Sequence, residues 1–226
     1  MKIHPAEQGS ADWMIARAGI PTASEFDNLV TPDFKVRIGQ MPQTYLAKKV
    51  AEAWQGGPLL GFNIFDAEQG KMLEEQARPW FELEYDTPIQ RVGLITTDDG
   101  RIGCSPDGLI GDHSGIEIKC PAVHTHVGYL LNGELPMEYA AQMHGSLLVT
   151  GRQEWRFLSY RRHFPPLVLT IKRDNGIISR LEEAIVIFLT RFDNAMKRME
   201  EINGGPPPRA VIIPAEEPQT LEDIYV

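Results

Sequence analysis

Cysteine is nearly absent from this 226-residue chain: Cys104 and Cys120 are the only two. Two thiols cannot build a disulfide scaffold, a four-cysteine zinc site or a cysteine-ligated iron–sulfur cluster. Both lie beside one short segment, and buried free thiols in a reducing, cytosolic setting are the expectation. Long apolar runs are missing too. Nothing approaches the roughly 20 residues that span a bilayer, and the first residues, Met1 to Glu7, lack the apolar core of a signal peptide. No membrane partner is expected. Positive charge is scarce: 22 Lys and Arg against 31 Asp and Glu give a net charge of −9. That excludes a general basic coat, so any contact with nucleic acid has to be local.

What is present is ordinary for a soluble globular protein, with 42% hydrophobic and 23% charged residues. The length suits one good-sized domain with a tail. Ser10 or Asp12 is placed to cap a short helix carrying Trp13 and Arg17 one turn apart. Gly19-Ile20-Pro21 breaks it. Thr22 then caps a second helix through Val30, with Glu25 at the capping-box position. Hydroxyls at a helix N-terminus beside an arginine make a phosphate pocket; the plainer alternative is a capped helix and nothing more. Residues 31–41 read as a mobile loop in which Phe34, Lys35 and Arg37 are either solvated or available to DNA. Pro42 to Trp54 is an amphipathic helix with Lys48 and Lys49 on its solvent face.

A long helical pattern from Asn63 to Tyr85 carries Met72, Leu73, Ala77, Trp80, Phe81 and Leu83 as its apolar stripe. Ile89 to Thr97 reads as a strand, Asp98-Asp99-Gly100 as a hairpin turn and Arg101 to Ser105 as its partner, joining the strands that follow in one central mixed sheet. After Pro121, His124-x-His126 is not read as a metal pair, since no third ligand is spaced to close a zinc site. Pro136 to Thr150 is a helix with Tyr139 and Met143 facing the core. Strands at Gln153–Tyr160 and Leu167–Lys172 and a helix from Asn175 to Ile202 complete a domain over residues 1–203. Residues 204–226 form a Pro-rich, acidic tail or arm.

Chemistry concentrates in Gly103–Ile110 and Gly115–Pro121. Ile116 to Cys120 alternates apolar and charged residues, as a half-buried strand does. Glu117 and Lys119 therefore share a face. If the two segments pair, Asp107 of the Pro-Asp-Gly turn joins them. Two carboxylates suit Mg²⁺, a hard cation that takes oxygen ligands and keeps some of its water. A lysine beside them can orient or deprotonate a water; nearby cations help depress its pKa, while the carboxylates push the other way. The competing reading is a surface hairpin with a Glu–Lys ion pair.

The arrangement Asp107…Glu117-x-Lys119 resembles the PD-(D/E)xK nuclease superfamily. The fuller strings Cys-Ser-Pro-Asp-Gly and Glu-Ile-Lys-Cys-Pro resemble its phage lambda exonuclease branch, the YqaJ-type viral recombinases. Gly-Ile-Pro-Thr-Ala-Ser-Glu is similar to that family's Gly-x-x-Thr-Ala-Ser segment. The resemblance runs from about Glu7 to Lys172 and carries a set of expectations. The fold would be α/β: a central twisted mixed sheet flanked by helices, the restriction-endonuclease-like core. Asp107 and Glu117 would bind Mg²⁺ (Mn²⁺ substituting), with Glu74 and the Ile118 carbonyl. Lys119 would position the water, and Gln142 would border the active site. Glu75, turned about 100° from Glu74, would face solvent. Arg17, Thr22, Ser24 and Ser105 would contact the DNA, Arg17 and Ser24 holding its 5′-phosphate. The family's tyrosine beyond Gln142 falls in the region of Gly145 and Ser146. Its strand-splitting wedge aligns with Ala67, a poor wedge for which Phe65 or Ile64 could substitute.

The implied activity is Mg²⁺-dependent 5′-to-3′ exonucleolysis of linear double-stranded DNA, giving mononucleotides and a 3′ overhang for recombination by strand annealing. The implied partners are duplex DNA with a 5′-phosphate end, two further copies in a ring-shaped homotrimer and a single-strand annealing protein, in the cytoplasm of a bacterial host of a phage or prophage. An endonuclease of the same fold and a non-catalytic DNA-end-binding module remain as alternatives. Cleavage of circular DNA would mark the first; the lysine, which a binder does not need, speaks against the second.

Overall fold

The computed structural model of the chain describes residues 1–59 and 64–207, with backbone alone for 64–72. Its centre is a four-stranded mixed sheet in chain order: β4 (Gly108–Ile110), β5 (Ser114–Lys119), β6 (Glu154–Ser159) and β7 (Leu167–Lys172). β5 runs antiparallel to β4 and parallel to β6, and β6 is antiparallel to β7. A second sheet joins β1 (Lys2–Ile3), β2 (Ile95–Thr96) and β3 (Gly103–Cys104), all antiparallel. The hairpin around Gly100 and the site strands thus belong to two sheets rather than one. The expected strand at Ile89–Thr97 shrinks to β2 because Gln90 pairs separately with Leu109.

The parallel β5–β6 step needs a crossover, and helices supply it. These are α4 (Val123–Asn132), which the sequence reading did not resolve, and α5 (Met137–Thr150). The remaining helices are α1 (Ala11–Arg17), α2 (Gln40–Gln55), α3 (Ile64–Tyr85) and α6 (Asn175–Asn203). Two apolar cores follow from the strand alternation. Ile116, Ile118 and Leu158 pack with Ala77 and Phe81 of α3 on one face. Trp155 and Phe157 pack with Met143 and Leu147 of α5 and Leu181 of α6 on the other. Leu83, expected in the stripe of α3, is 86% exposed: two residues beyond buried Phe81, it is turned about 200° round the helix from the core face.

Other expectations need correcting. Phe34 is not a loop-tip side chain but is buried edge-on against His144. Lys49 is not on the solvent face of α2; it is buried between two carboxylates. The segment after Thr22 is a 3₁₀ helix, Ala23–Asn28, with no side-chain cap from Thr22. The wedge candidates Ile64, Phe65 and Ala67 fall where side chains are outside the description, and residues 208–226 lie outside the described residues. Among those residues no helix is long and apolar enough to cross a membrane.

Gly115 shows how tightly the site strand is held. It pairs with Trp155, and a Cβ there would stand 2.4 Å from the indole ring. Since Trp155 is fully buried, the ring has nowhere to go. Gly115→Ala is expected to cost about 1–3 kcal/mol by overpacking, read as a lower urea midpoint at unchanged slope.

Candidate active site

The geometry begins with a ladder that cannot continue. β4 and β5 pair Gly108 with Ile116, so the same register would set Pro106 opposite Ile118. Proline has no N–H to give the Ile118 carbonyl. The Ile118 amide, for its part, donates to the side chain of Asp107, at 2.6 Å from Oδ2. Gly108 is required next to it: a Cβ there would stand 2.1 Å from the Ile89 side chain. The Pro-Asp-Gly string therefore ends a strand and turns one carboxylate onto the neighbouring strand. Arg78 of α3 donates to the Asp107 carbonyl and fixes the turn from behind.

On β5, Glu117 and Lys119 lie on the face away from α3, as the alternation requires. Lys119 Nζ donates to Glu117 Oε1 at 2.6 Å, and Gln142 Nε2 of α5 donates to the same oxygen, also at 2.6 Å. The other oxygen, Oε2, is buried, and no hydrogen-bond donor reaches it among the described residues. The Lys119 ammonium sits 5.2 Å from the centre of the Tyr139 ring. Tyr139, placed in the core by the sequence, is half-buried at this site. Gly145, where the family tyrosine was sought, has no room for any side chain: a Cβ would lie 2.6 Å from the buried ring of Phe26.

The electrostatics are those of crowded acids. Burial pushes the Asp107 carboxyl well above its ordinary value, and the charges of Glu117 and Glu74 push it further. Glu74 is half-buried on α3 and Glu75 beside it is exposed, as helix geometry predicts. Burial alone would lower the Lys119 pKa, but the bond to Glu117 and the charge of Asp107 outweigh it and hold the ammonium above the usual lysine range. Of the two opposing pushes expected on Lys119, that of the carboxylates prevails, and it stands as a cation. Burial, with Glu74 and Asp107, also raises the Cys120 thiol to about 12, so it stays protonated.

A divalent cation fits this donor set. Asp107 and the bare Oε2 of Glu117 are hard oxygen donors, and their mutual repulsion asks for a counter-charge. Among the described residues no three Asp, Glu, His or Cys side chains converge as a complete ligand group. An ion would therefore fill its shell with main-chain oxygen and water, as Mg²⁺ readily does. His126 is spent elsewhere: Nδ1 bonds Ser159 Oγ at 2.7 Å and Nε2 the Pro165 carbonyl at 3.0 Å.

A second cluster gathers upstream. Arg17 Nη2 donates to Thr22 Oγ1 and Ser24 Oγ, each at 2.7 Å, and Nε donates to Thr22 Oγ1 at 3.2 Å. The Arg17 guanidinium lies 5.2 Å from the centre of the Trp13 ring, whose Nε1 donates to Ser105 Oγ at 3.1 Å. Ser10 caps α1 by accepting the Trp13 amide at 3.2 Å. Thr22 bridges to Gly103, whose amide donates to the Pro21 carbonyl at 3.0 Å. Ser105 and Asp107 thus belong to one short segment that serves both clusters. Trp13, Arg78 and Tyr139 were not singled out as site residues from sequence. Trp13 and Arg78 stand one turn from Arg17 and Glu74, and Tyr139 nearly one turn from Gln142.

A sheet of this topology, with an acidic pair and a lysine at the end of its central strand, defines a class of α/β nucleases. Comparison with known proteins places the chain within it. Residues 12–153 match the model of the YqaJ-like viral recombinase domain, and the chain belongs to that family. Among solved structures it is similar to the alkaline exonuclease LHK-Exo from Laribacter hongkongensis, solved also in complex with dAMP. Identity is 29%, coverage 86% of this chain and 98% of that one, and the TM-score 0.77. A phage-related exonuclease from Haemophilus somnus shares the fold at 14% identity and TM-score 0.63, over 80% of this chain and 96% of that one. No curated protein matches.

If the acids crowd as described, a divalent ion should stabilise the fold by binding it. Millimolar Mg²⁺ is expected to raise the melting temperature by a few degrees, at roughly 2–4 °C per kcal/mol for a chain of this size. Glu117→Gln should abolish the rise. An unchanged melting curve in wild type with Mg²⁺ or Mn²⁺ would exclude an ion here.

Proposed function

We propose that this protein is a Mg²⁺-dependent exonuclease that degrades linear double-stranded DNA from its 5′ ends, releasing mononucleotides and leaving a 3′ overhang for recombination by strand annealing. The single observation that carries the proposal is the site at β5, where Lys119 and Gln142 both bond Glu117 at 2.6 Å and Asp107 is bonded at 2.6 Å to the Ile118 amide between Glu117 and Lys119, in a chain of the viral recombinase family. The resemblance of its fold to LHK-Exo, which binds dAMP, supports a nucleotide-releasing reaction.

Asp107 and Glu117 would hold the ion, with the Ile118 carbonyl, which an extended strand turns to the same edge as the Ile118 amide, and Glu74 would help by adding its negative charge from α3. Bound there, Mg²⁺ would polarise the scissile phosphate and offset charge in the transition state. Lys119, held as an ammonium, orients the attacking water by donating to it. Gln142 fixes the Glu117 carboxylate through Oε1 and leaves Oε2 open to an ion. Arg17, Thr22, Ser24 and Ser105 form the DNA-end cluster, Arg17 and Ser24 taking the terminal 5′-phosphate by charge-assisted hydrogen bonds. Assembly as a homotrimeric ring would keep an acidic chain on its substrate by topology, and a single-strand annealing protein would take over the exposed strand. Work on phage or prophage DNA in a bacterial cytoplasm suits this reading.

Lys119→Ala is expected to lower kcat by about 10²–10⁴-fold, the usual size of a lost proton-handling group, while end binding persists. An active Lys119→Ala protein would overturn the assignment. The decisive assay is digestion of linear duplex with 5′-phosphate or 5′-hydroxyl ends beside a closed circle. Mononucleotide release from phosphorylated linear DNA, with the circle spared, is the expected result. A cut circle would make the protein an endonuclease.

A further inference from the structure

Lys49 has no part in the proposed chemistry, yet it is 3% exposed and sits between two carboxylates. Its ammonium lies 2.9 Å from Glu25 Oε2 and 3.0 Å from Glu52 Oε2. A buried charge is retained only when paired in this way. Both carboxylates lead back to Arg17. Glu25 Oε2 is 3.8 Å from Arg17 Nη2, and Glu25 Oε1 accepts from Lys48 at 2.8 Å. Glu52 accepts the Gly19 amide at 3.0 Å, in the turn between Arg17 and Thr22. That turn is pressed on α2: Gly19 has φ 74°, and a Cβ would stand 2.8 Å from the Ala53 side chain.

The charge balance of this cluster is delicate. Burial raises the Glu25 carboxyl, but Lys49, Lys48 and Arg17 together bring it down to about 2, so it is an anion beside the guanidinium. An anion there competes with a phosphate for Arg17 and repels it. Arg17, Lys48 and Lys49 against Glu25 and Glu52 leave one positive charge, in a chain of net charge −9. Remove Lys49 and that surplus is gone.

We infer that Lys49 is a positioning residue for the end-phosphate pocket: it cancels Glu25, so that Arg17 is free to take a terminal phosphate, and through Glu52 it holds the turn that aims Arg17. This rests on the reading of Arg17 and Ser24 as that pocket. A purely structural ion pair would not favour one DNA end over another, and this difference is measurable.

The test compares kcat/KM on 5′-phosphate and 5′-hydroxyl linear duplex. Lys49→Met is expected to lower the phosphate-to-hydroxyl ratio about tenfold, the size of one charge-assisted contact. The loss should fall in KM for phosphorylated ends rather than in kcat. Adding Glu25→Gln removes the charge that Lys49 cancelled, and Lys49→Met/Glu25→Gln should recover the ratio. A wild-type ratio in Lys49→Met, or no recovery in the double variant, overturns the inference. Should Lys49→Met fail to fold, Lys49→Gln, which keeps hydrogen-bond donors between the two carboxylates while removing the charge, carries the same test, and the same fall is expected. Arg17→Ala separates the two levels. If it keeps the wild-type ratio, the end-phosphate reading fails. If it loses the ratio and Lys49→Met keeps it, the role of Lys49 alone fails.

Discussion

The bond from the Ile118 amide to Asp107 Oδ2 ties the two halves of the site together, and much of the fold can be understood as the means of keeping it. A carboxylate this buried is out of water and beside another acid, and it persists because donors on rigid backbone meet it. The donor is a strand amide in the middle of a sheet. The strand is braced by β6 along its whole length and by α3 beneath Ile116 and Ile118. Proline at 106 stops the competing ladder, and glycine at 108 lets β4 start at once. Each residue of the Pro-Asp-Gly string has a separate physical duty.

From that anchor the neighbouring parts take their places. α5 lies along the opposite face of β5 and delivers Gln142 to Glu117. The same helix packs against the 3₁₀ segment through Gly145, where the contact with Phe26 and Ala23 leaves no space for a side chain. The 3₁₀ segment carries Ser24, and the chain before it bridges to β3, which leads through Ser105 into Asp107. The two polar clusters are thus linked through main-chain pairing and one helix, not through long side chains. A small shift in either would be felt by the other.

What the sequence disclosed, and what it concealed, divides along a physical line. The alternation of Ile116 to Lys119 was legible because a strand with one polar face has a period of two. Asp107 was legible because proline and glycine punctuate so strongly. The long helices α3 and α6 and strand β7 were read to within a residue or two, since long periodic segments average out local exceptions. α4 was missed: its stretch contains two histidines and Gly128, and no clear stripe. The division into two sheets was hidden because pairing partners such as β1 and β2 lie more than 90 residues apart. Thr22 was read as a cap from its local pattern, but its hydroxyl is claimed by Arg17, a tertiary contact that overrides the local preference. Lys49 was assigned to solvent because lysine usually is; only the carboxylates converging from the 3₁₀ segment and from its own helix reverse that.

The charge of the chain is the remaining constraint. A protein of net charge −9 approaches a polyanion against a repulsive field, so affinity must come from contacts that work at short range. The cations described here are already committed: Lys119 to Glu117, Lys48 and Lys49 to Glu25, Arg152 to three main-chain carbonyls. Pairing them with acids removes long-range attraction while leaving directed donors in place. On the proposed function, such a surface would discriminate by geometry rather than by charge density and would hold an interior stretch of duplex poorly. On that reading, a terminal phosphate, which carries more charge than an internal diester, is the part of DNA that this arrangement would favour most. The acidity that argues against a DNA-binding protein in general is therefore consistent with one built to bind ends.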